Sequence, residues 1–177
     1  MVIDCGTCLL RPFEPDDAPA IAPLLNDRDV WINLSDRISH PYLLEHAQTF
    51  IARVSTLEPV RNFAICVDGK AVGGIGIIPG DGIGRVSAEI GYWLGKPYWN
   101  RGIMTPAIRA MTKYVTEHFE LTRVFALIFA RNAGSMRALE KAGYVREGFM
   151  RQSVIKDGVV EDEYLYAWYT SGPRPAP

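Results

Sequence analysis

Apolar positions recur along this chain at two periods, and the switches between them outline its elements. "TCLLRPF" (7–13) reads as a short apolar strand, and "EPDDAPAIAPLLND" (14–27) then brings Ile21, Leu24 and Leu25 at helical spacing. Its acidic residues come first, where the positive end of a helix favours them. In "SHPYLLEHAQTFIARVS" (39–55), Leu43, Ala47, Phe50, Ile51 and Val54 form one helical stripe. "RNFAICVDGKAVGGIGIIPG" (61–80) predicts a hairpin around Asp68-Gly69, a strong tight-turn pair. "RVSAEIGYWLG" (85–95) predicts another strand. A helix is expected from near Gly102 through "GIMTPAIRAMTKYVTEHF", with Ile103, Ala107, Met111, Tyr114 and Val115 inward. "LTRVFALIFA" (121–130) is a nearly continuous apolar run, as in a central strand. "NAGSMRALEKAG" (132–143) predicts a helix with Asn132 as N-cap, Ser135 at its third position and Gly143 as the stop. Two last strands flank Asp157-Gly158. The order β-α-α-β-β-β-α-β-α-β-β predicts an α/β (α+β) chain with a mixed sheet, in one domain over residues 1–171. Residues 172–177 are expected to be a flexible, Pro-rich tail.

Composition narrows the function. The 177 residues are 48% hydrophobic and 22% charged, an ordinary globular balance. A net charge of -1 gives no basic excess with which to bind nucleic acid. No apolar run is long enough to span a bilayer, and the N-terminus lacks a signal-peptide pattern. A cytoplasmic location is expected. Cys5, Cys8 and Cys66 are too few, and odd in number, for a disulfide framework. "CGTC" matches C-x-x-C, but it precedes a strand, not a helix. His40, His46 and His118 are scattered. Two ordinary thiols and no metal site are the expectation.

Two stretches could carry chemistry, and a third is a decoy. "GGIGIIPGDGIGR" (73–85) is glycine-rich but contains no G-x-G-x-x-G, and a strand, not a helix, follows it. "YWNRGIMTPA" (98–107) does run from a strand into a helix. A helix start presents unpartnered N–H groups and a positive dipole end, where a phosphate can sit. Gly102 lets an anion approach bare backbone, Arg101 adds charge, and Thr105 adds a hydroxyl. Pro106 is tolerated that early in a helix. An ordinary capped helix with a surface Arg reads the segment equally well. "RNAGSMRALEKAGYVREG" (131–148), taken alone, is likewise an amphipathic helix with a cap and a glycine stop.

Together and in this order, these stretches resemble the GCN5-related N-acetyltransferase (GNAT) superfamily, in its RimJ/RimL-like branch of ribosomal-protein alanine acetyltransferases. The resemblance runs from "LRPFEPDDA" to "LYAWY" and rests on "LRPFEPDDAPAIAPLLND", "HPYLLEHAQTFI", "AEIGYWLGKPYWNRGIMTPAI" and "RNAGSMRALEKAGYVREG". The family's phosphate loop is Q/R-x-x-G-x-G/A. Trp99 stands in the first place, as is usual for this branch, and Gly102 in the second. Met104 departs from the final Gly/Ala, so its side chain must point away from a pyrophosphate.

The resemblance implies a mostly antiparallel sheet of about seven strands with one splayed parallel pair, flanked by about four helices. It implies acetyl-CoA bound between the splayed strands. The loop residues Trp99, Asn100, Arg101, Gly102, Ile103, Met104 and Thr105 would hold the pyrophosphate. Tyr92, Trp93 and Leu94 would pair with the pantetheine, and Asn132 would hydrogen-bond it. A primary amine, of a protein N-terminus or a small molecule, would attack the thioester. Glu89 would take its proton through a water, or else only orient a group. The superfamily's acidic Tyr is replaced by Leu139, and Ser135 would serve the departing thiolate, with helix capping as its competing role. Trp31, Tyr42 and Trp93 could line the amine pocket beside Glu89, or could be core. The implied partners are acetyl-CoA and the amine, with no nucleic acid, membrane or metal; a homodimer is compatible. A non-catalytic acyl-CoA-binding regulatory module is the alternative.

Overall fold

Asp68 and Gly69, and again Asp157 and Gly158, all adopt positive φ. Two consecutive left-handed residues make the tight turn whose twist matches the strands it joins. The two hairpins predicted from these dipeptides therefore form in the computed structural model, which describes residues 1–170. Ser171 and the tail expected at 172–177 lie outside the described residues.

The strands are β1 (Ile3–Asp4), β2 (Leu9–Pro12), β3 (Asn62–Val67), β4 (Lys70–Pro79), β5 (Ser87–Leu94), β6 (Arg123–Phe129), β7 (Val145–Lys156) and β8 (Val159–Tyr169). They follow the hydrogen-bonding order β1-β2-β3-β4-β5-β6-β8-β7. β5 and β6 pair in parallel, whereas β1–β2, β2–β3, β3–β4, β6–β8 and β7–β8 are antiparallel. The α-helices are α1 (Ala18–Leu25), α2 (Arg28–Trp31), α3 (Leu44–Val54), α4 (Met104–His118) and α5 (Ala133–Ala142).

Among the described residues, the chain forms two compact units, 1–76 with 92–107, and 77–91 with 108–170. In the first, α1 to α3 bury Ile21, Leu25, Ala47, Ile51 and Val54 together with Phe13, Ala64 and Cys66. Arg11 anchors the start of α1 through a two-pronged pair with buried Asp17, both N–O distances being 2.7 Å. In the second unit, α4 and α5 bury Met111, Val115 and Leu139, and the strands bury Val124, Ala126 and Tyr166. Two phenols there are satisfied: Tyr144 lies 2.7 Å from Thr112 Oγ1, and Tyr166 donates to Glu140 at 2.8 Å.

Five expectations need correction. β1 is an extra strand, made by a turn at Gly6-Thr7 that folds Ile3-Asp4 back on Leu9-Leu10. α2 is an extra one-turn helix, capped by Asp27, whose Oδ1 accepts the Asp29 N–H. α4 begins at Met104, two residues late, because Gly102 at φ +72° cannot be helical. Leu43 precedes α3 and is exposed. The apolar run at 121–130 is a strand inside the sheet, but it is buried mainly on one face. Val124 and Ala126 are covered, Leu127 is exposed, and the Phe125 and Phe129 rings lie under Arg123 and Arg131.

Candidate active site

In the first unit, the segment between β5 and α4 is a loop held at several points. A 3-10 turn over Lys96–Tyr98 opens it. Asn100 and Gly102 both take positive φ, at 59° and 72°. A Cβ built on Gly102 meets nothing within 4 Å, so the glycine is needed for its backbone angle and leaves open space beside it. The Trp99 indole N–H donates to Leu94 O at 2.7 Å, tying the loop to the end of β5. Thr7 Oγ1 donates to Gly102 O at 3.3 Å, and Cys8 Sγ to Ile103 O at 3.9 Å.

Those two contacts set the direction of the loop's amides. A trans peptide points its C=O and the following N–H opposite ways. Holding the Gly102 and Ile103 carbonyls toward the N-terminal hairpin turns the N–H groups of Ile103 and Met104 away from it. Ile103 O also accepts the first helical bond, from Ala107 N, so the Met104 and Thr105 N–H groups open the helix. Pro106 contributes none. Arg101 is exposed, with its guanidinium over the Tyr98 ring. Met104 is half-buried.

β5 is oriented by its neighbour. Gly95 N–H donates to Val72 O at 2.9 Å, so Gly95 and, by alternation, Trp93 aim their peptide groups at β4. Tyr92 and Leu94 aim theirs at the other edge, where Leu94 O is already held by Trp99. The expected run of three pantetheine-pairing residues thus loses Trp93. The Trp93 indole packs on Gly74 and Phe13: a Cβ on Gly74 would lie 2.7 Å from its Nε1.

Trp31 donates its indole N–H to Ile38 O at 2.9 Å and stacks on His40 at 4.7 Å. Tyr42 is 6% exposed within the unit's core, and burial pushes its phenol up. Of the readings left open for Tyr42, core is the one observed.

In the second unit, Glu89 is half-buried on β5 in register with Phe125 of β6. The parallel register runs from Ser87↔Arg123 to Glu89↔Phe125, and both strands continue beyond it. Gly91, next on the face of Glu89, is exposed, and a Cβ there would meet nothing within 4 Å. Asn132 caps α5, its Oδ1 accepting the Ser135 N–H at 3.1 Å. That assigns the cap to the Asn132 side chain. Ser135 contributes its backbone N–H to that cap.

A family model described as the acetyltransferase (GNAT) domain matches residues 8–145. The chain belongs to the GNAT acetyltransferase family. The probable N-acetyltransferase YjcK of Bacillus subtilis is 44% identical over 46% of this chain and 45% of its own length. The ribosomal-protein-serine acetyltransferase of Escherichia coli is 30% identical over 46% and 45%. The chain thus spans about half the length of these curated relatives. The crystal structure of a GNAT-family acetyltransferase from Bacillus anthracis is 27% identical, with TM-score 0.82, covering 96% of this chain and 98% of that one. RimJ of Mycobacterium smegmatis, in complex with a CoA disulfide, shares the fold at 24% identity and TM-score 0.80, over 94% and 84%.

Within this GNAT chain, Leu139, at the place of the superfamily's acidic Tyr, is fully buried. No group of three or more Cys, His, Asp or Glu side chains suited to a metal occurs among the described residues, and no helix there is long and apolar enough to cross a membrane. Sequence reasoning missed the Trp99–Leu94 tie and the Thr7 and Cys8 contacts. The signal for the last two was present: Cys-Gly-Thr-Cys is a two-residue hairpin turn with glycine at its first central position.

Proposed function

We propose that this GNAT chain is a single-domain, cytoplasmic N-acetyltransferase that moves an acetyl group from acetyl-CoA to a primary amine of a protein N-terminus or a small molecule. The observation that carries the reading is the loop ahead of α4, with left-handed Asn100 and Gly102 and carbonyls held back by Thr7 and Cys8. The Ile103, Met104 and Thr105 amides serve as donors to the pyrophosphate, with exposed Arg101 as a counter-charge. Tyr92 offers its backbone to the pantetheine amides. The Asn132 amide nitrogen serves the same arm, since its oxygen is occupied by the cap.

The amine must be neutral to attack. Glu89 takes the proton it loses on forming the new C–N bond, through a water in the space left by Gly91. As the C–S bond breaks, charge develops on sulfur, and the Ser135 hydroxyl donates to it. A hydroxyl is too weak an acid to transfer its proton fully, but it is an adequate hydrogen-bond donor. The three free thiols suit a reducing compartment. The test is thiol release from acetyl-CoA across a panel of amines that includes Ala- and Ser-initiated peptides, with the product's added acetyl group read by mass. The buried Leu139 favours one second reading, a module that binds acyl-CoA without turnover. Tight CoA binding with no acetylated product from any amine would establish it.

A further inference from the structure

Cys5 and Cys8 face each other across the N-terminal hairpin. The β1–β2 register, Ile3↔Leu10 and Asp4↔Leu9, extends by one step to Cys5 opposite Cys8, and Cys5 N–H donates to Cys8 O at 2.9 Å. Gly6 at φ +81° makes the turn. Hydrogen-bonded partners in an antiparallel pair have Cα atoms about 5.5 Å apart, inside the range of about 4.4–6.8 Å that a disulfide spans. The hairpin can therefore close a disulfide without moving its backbone far. The same turn holds the phosphate loop by two donors, Thr7 Oγ1 on Gly102 O and Cys8 Sγ on Ile103 O.

We propose that Thr7 and Cys8 are positioning residues for the coenzyme-binding amides, and that peroxide oxidation of the Cys5–Cys8 pair to a disulfide removes the Cys8 donor and weakens coenzyme A binding.

The chemistry divides between the two thiols. Cys5 is half-exposed and Cys8 buried. The neighbouring Cys8 side chain lowers the pKa of Cys5, while the nearby Cys5 sulfur and, after it, burial raise that of Cys8. Cys5 is thus the thiolate that meets the oxidant. Its sulfur attacks the peroxide O–O bond, giving a sulfenic acid and hydroxide. The Cys8 sulfur then attacks the sulfenic sulfur, forming S–S and expelling the hydroxyl. The two thiol hydrogens and the two peroxide oxygens leave as two waters. A disulfide sulfur carries no hydrogen, so Ile103 O loses that donor. The Ile103–Met104 peptide then keeps the first helical bond, from Ala107 at 3.3 Å, without the thiol's pull toward the hairpin. A four-residue hairpin loop gains little from cross-linking, so dithiothreitol should reopen it readily.

The inference rests on the cofactor reading, and the experiment separates the two. Coenzyme A binding is measured by calorimetry on the fully reduced full-length chain, on the peroxide-treated chain and on the latter after dithiothreitol. Peptide mass mapping locates any disulfide. The expected result is a Cys5–Cys8 link, loss of two hydrogens, a roughly tenfold weaker Kd, and recovery on reduction. Cys5→Ser, which keeps the Cys8 donor, should bind as the reduced wild type does and keep its Kd under peroxide. Thr7→Val should weaken binding about fivefold without any oxidant, the worth of one neutral hydrogen bond. A Cys5–Cys8 link with unchanged Kd, no link under peroxide that oxidises free thiols, or a link to Cys66 instead overturns the inference and leaves the cofactor reading standing. No binding of coenzyme A by the reduced, folded chain overturns both.

Discussion

The start of α5 carries two side chains with different duties, and paired substitutions can separate them. Asn132 Oδ1 accepts the Ser135 N–H at 3.1 Å. Asn132→Ala removes this cap, which is worth about 1 kcal/mol. For a chain of this length, each kcal/mol moves the melting temperature by roughly 2–4 °C, so a fall of that size is expected. Ser135→Ala keeps the N–H that the cap uses. Alanine is also the better helix former, by a few tenths of a kcal/mol. The melting temperature of Ser135→Ala should therefore fall less than that of Asn132→Ala. If the Ser135 hydroxyl donates to the leaving sulfur, its loss should cut kcat by roughly 10²-fold, about 2.7 kcal/mol of barrier, with acetyl-CoA affinity near normal. That split is the mark of an interaction made mainly in the transition state. A third variant, Asn132→Asp, keeps a good cap but replaces the amide donor with an acceptor, so it should hold stability and lose CoA affinity. The assays are differential scanning calorimetry, CoA titration and thiol release from acetyl-CoA. A Ser135→Ala enzyme that turns over at the normal rate would refute the assignment of Ser135 to the sulfur. Equal melting losses in Ser135→Ala and Asn132→Ala would refute the cap.

Other outcomes follow from the same geometry. Gly102→Ala forces a side chain into the left-handed region at φ +72°, costing about 1 kcal/mol of stability and weakening CoA binding by calorimetry; unchanged affinity in a folded variant contradicts the phosphate assignment. Trp99→Phe leaves Leu94 O without its indole donor and should weaken CoA binding several-fold, because the loop loses its tie to β5. Burial alone would raise the Asp17 carboxyl, but the Arg11 guanidinium and the Glu14 N–H hold it below the usual carboxylate value. A depressed folded pKa gives stability that is present above the unfolded value near 3.8 and lost as pH falls through the folded value. Asp17→Asn should therefore cost about 3 kcal/mol at neutral pH and progressively less below about pH 4, read by denaturant melts. If Glu89 relays the proton, turnover should rise with pH toward the pKa of the bound amine, near ~8 for a peptide N-terminus; a flat neutral profile with chemistry rate-limiting counts against it.

The sequence by itself determined which segments are helices and strands. That information lies within a few positions along the chain: the stripe of Ile103, Ala107, Met111, Tyr114 and Val115, all buried in or just before α4; the Asp-Gly turns; the Asn132 cap and the left-handed Gly143 stop of α5. The same locality exposed the loop that enters α4, because a glycine at a strand-to-helix junction is a local signal. Elements too short to show a period escaped it, namely two-residue β1 and four-residue α2. Only the tertiary structure decided how the loop is held. Thr7 and Gly102 are 95 residues apart, and no periodicity links them. They meet because β2 pairs with β3, β3 with β4, and β4 lies beside β5, an order that no single segment encodes. Likewise Gly73 and Gly74 lie in a glycine-rich run that imitates a nucleotide motif, yet their lack of a Cβ makes room for the Trp93 backbone and ring. A side chain's partner is set by sheet register, and register is the sum of many burial choices made at once. A residue's own neighbours fix its φ and ψ, but not what it touches.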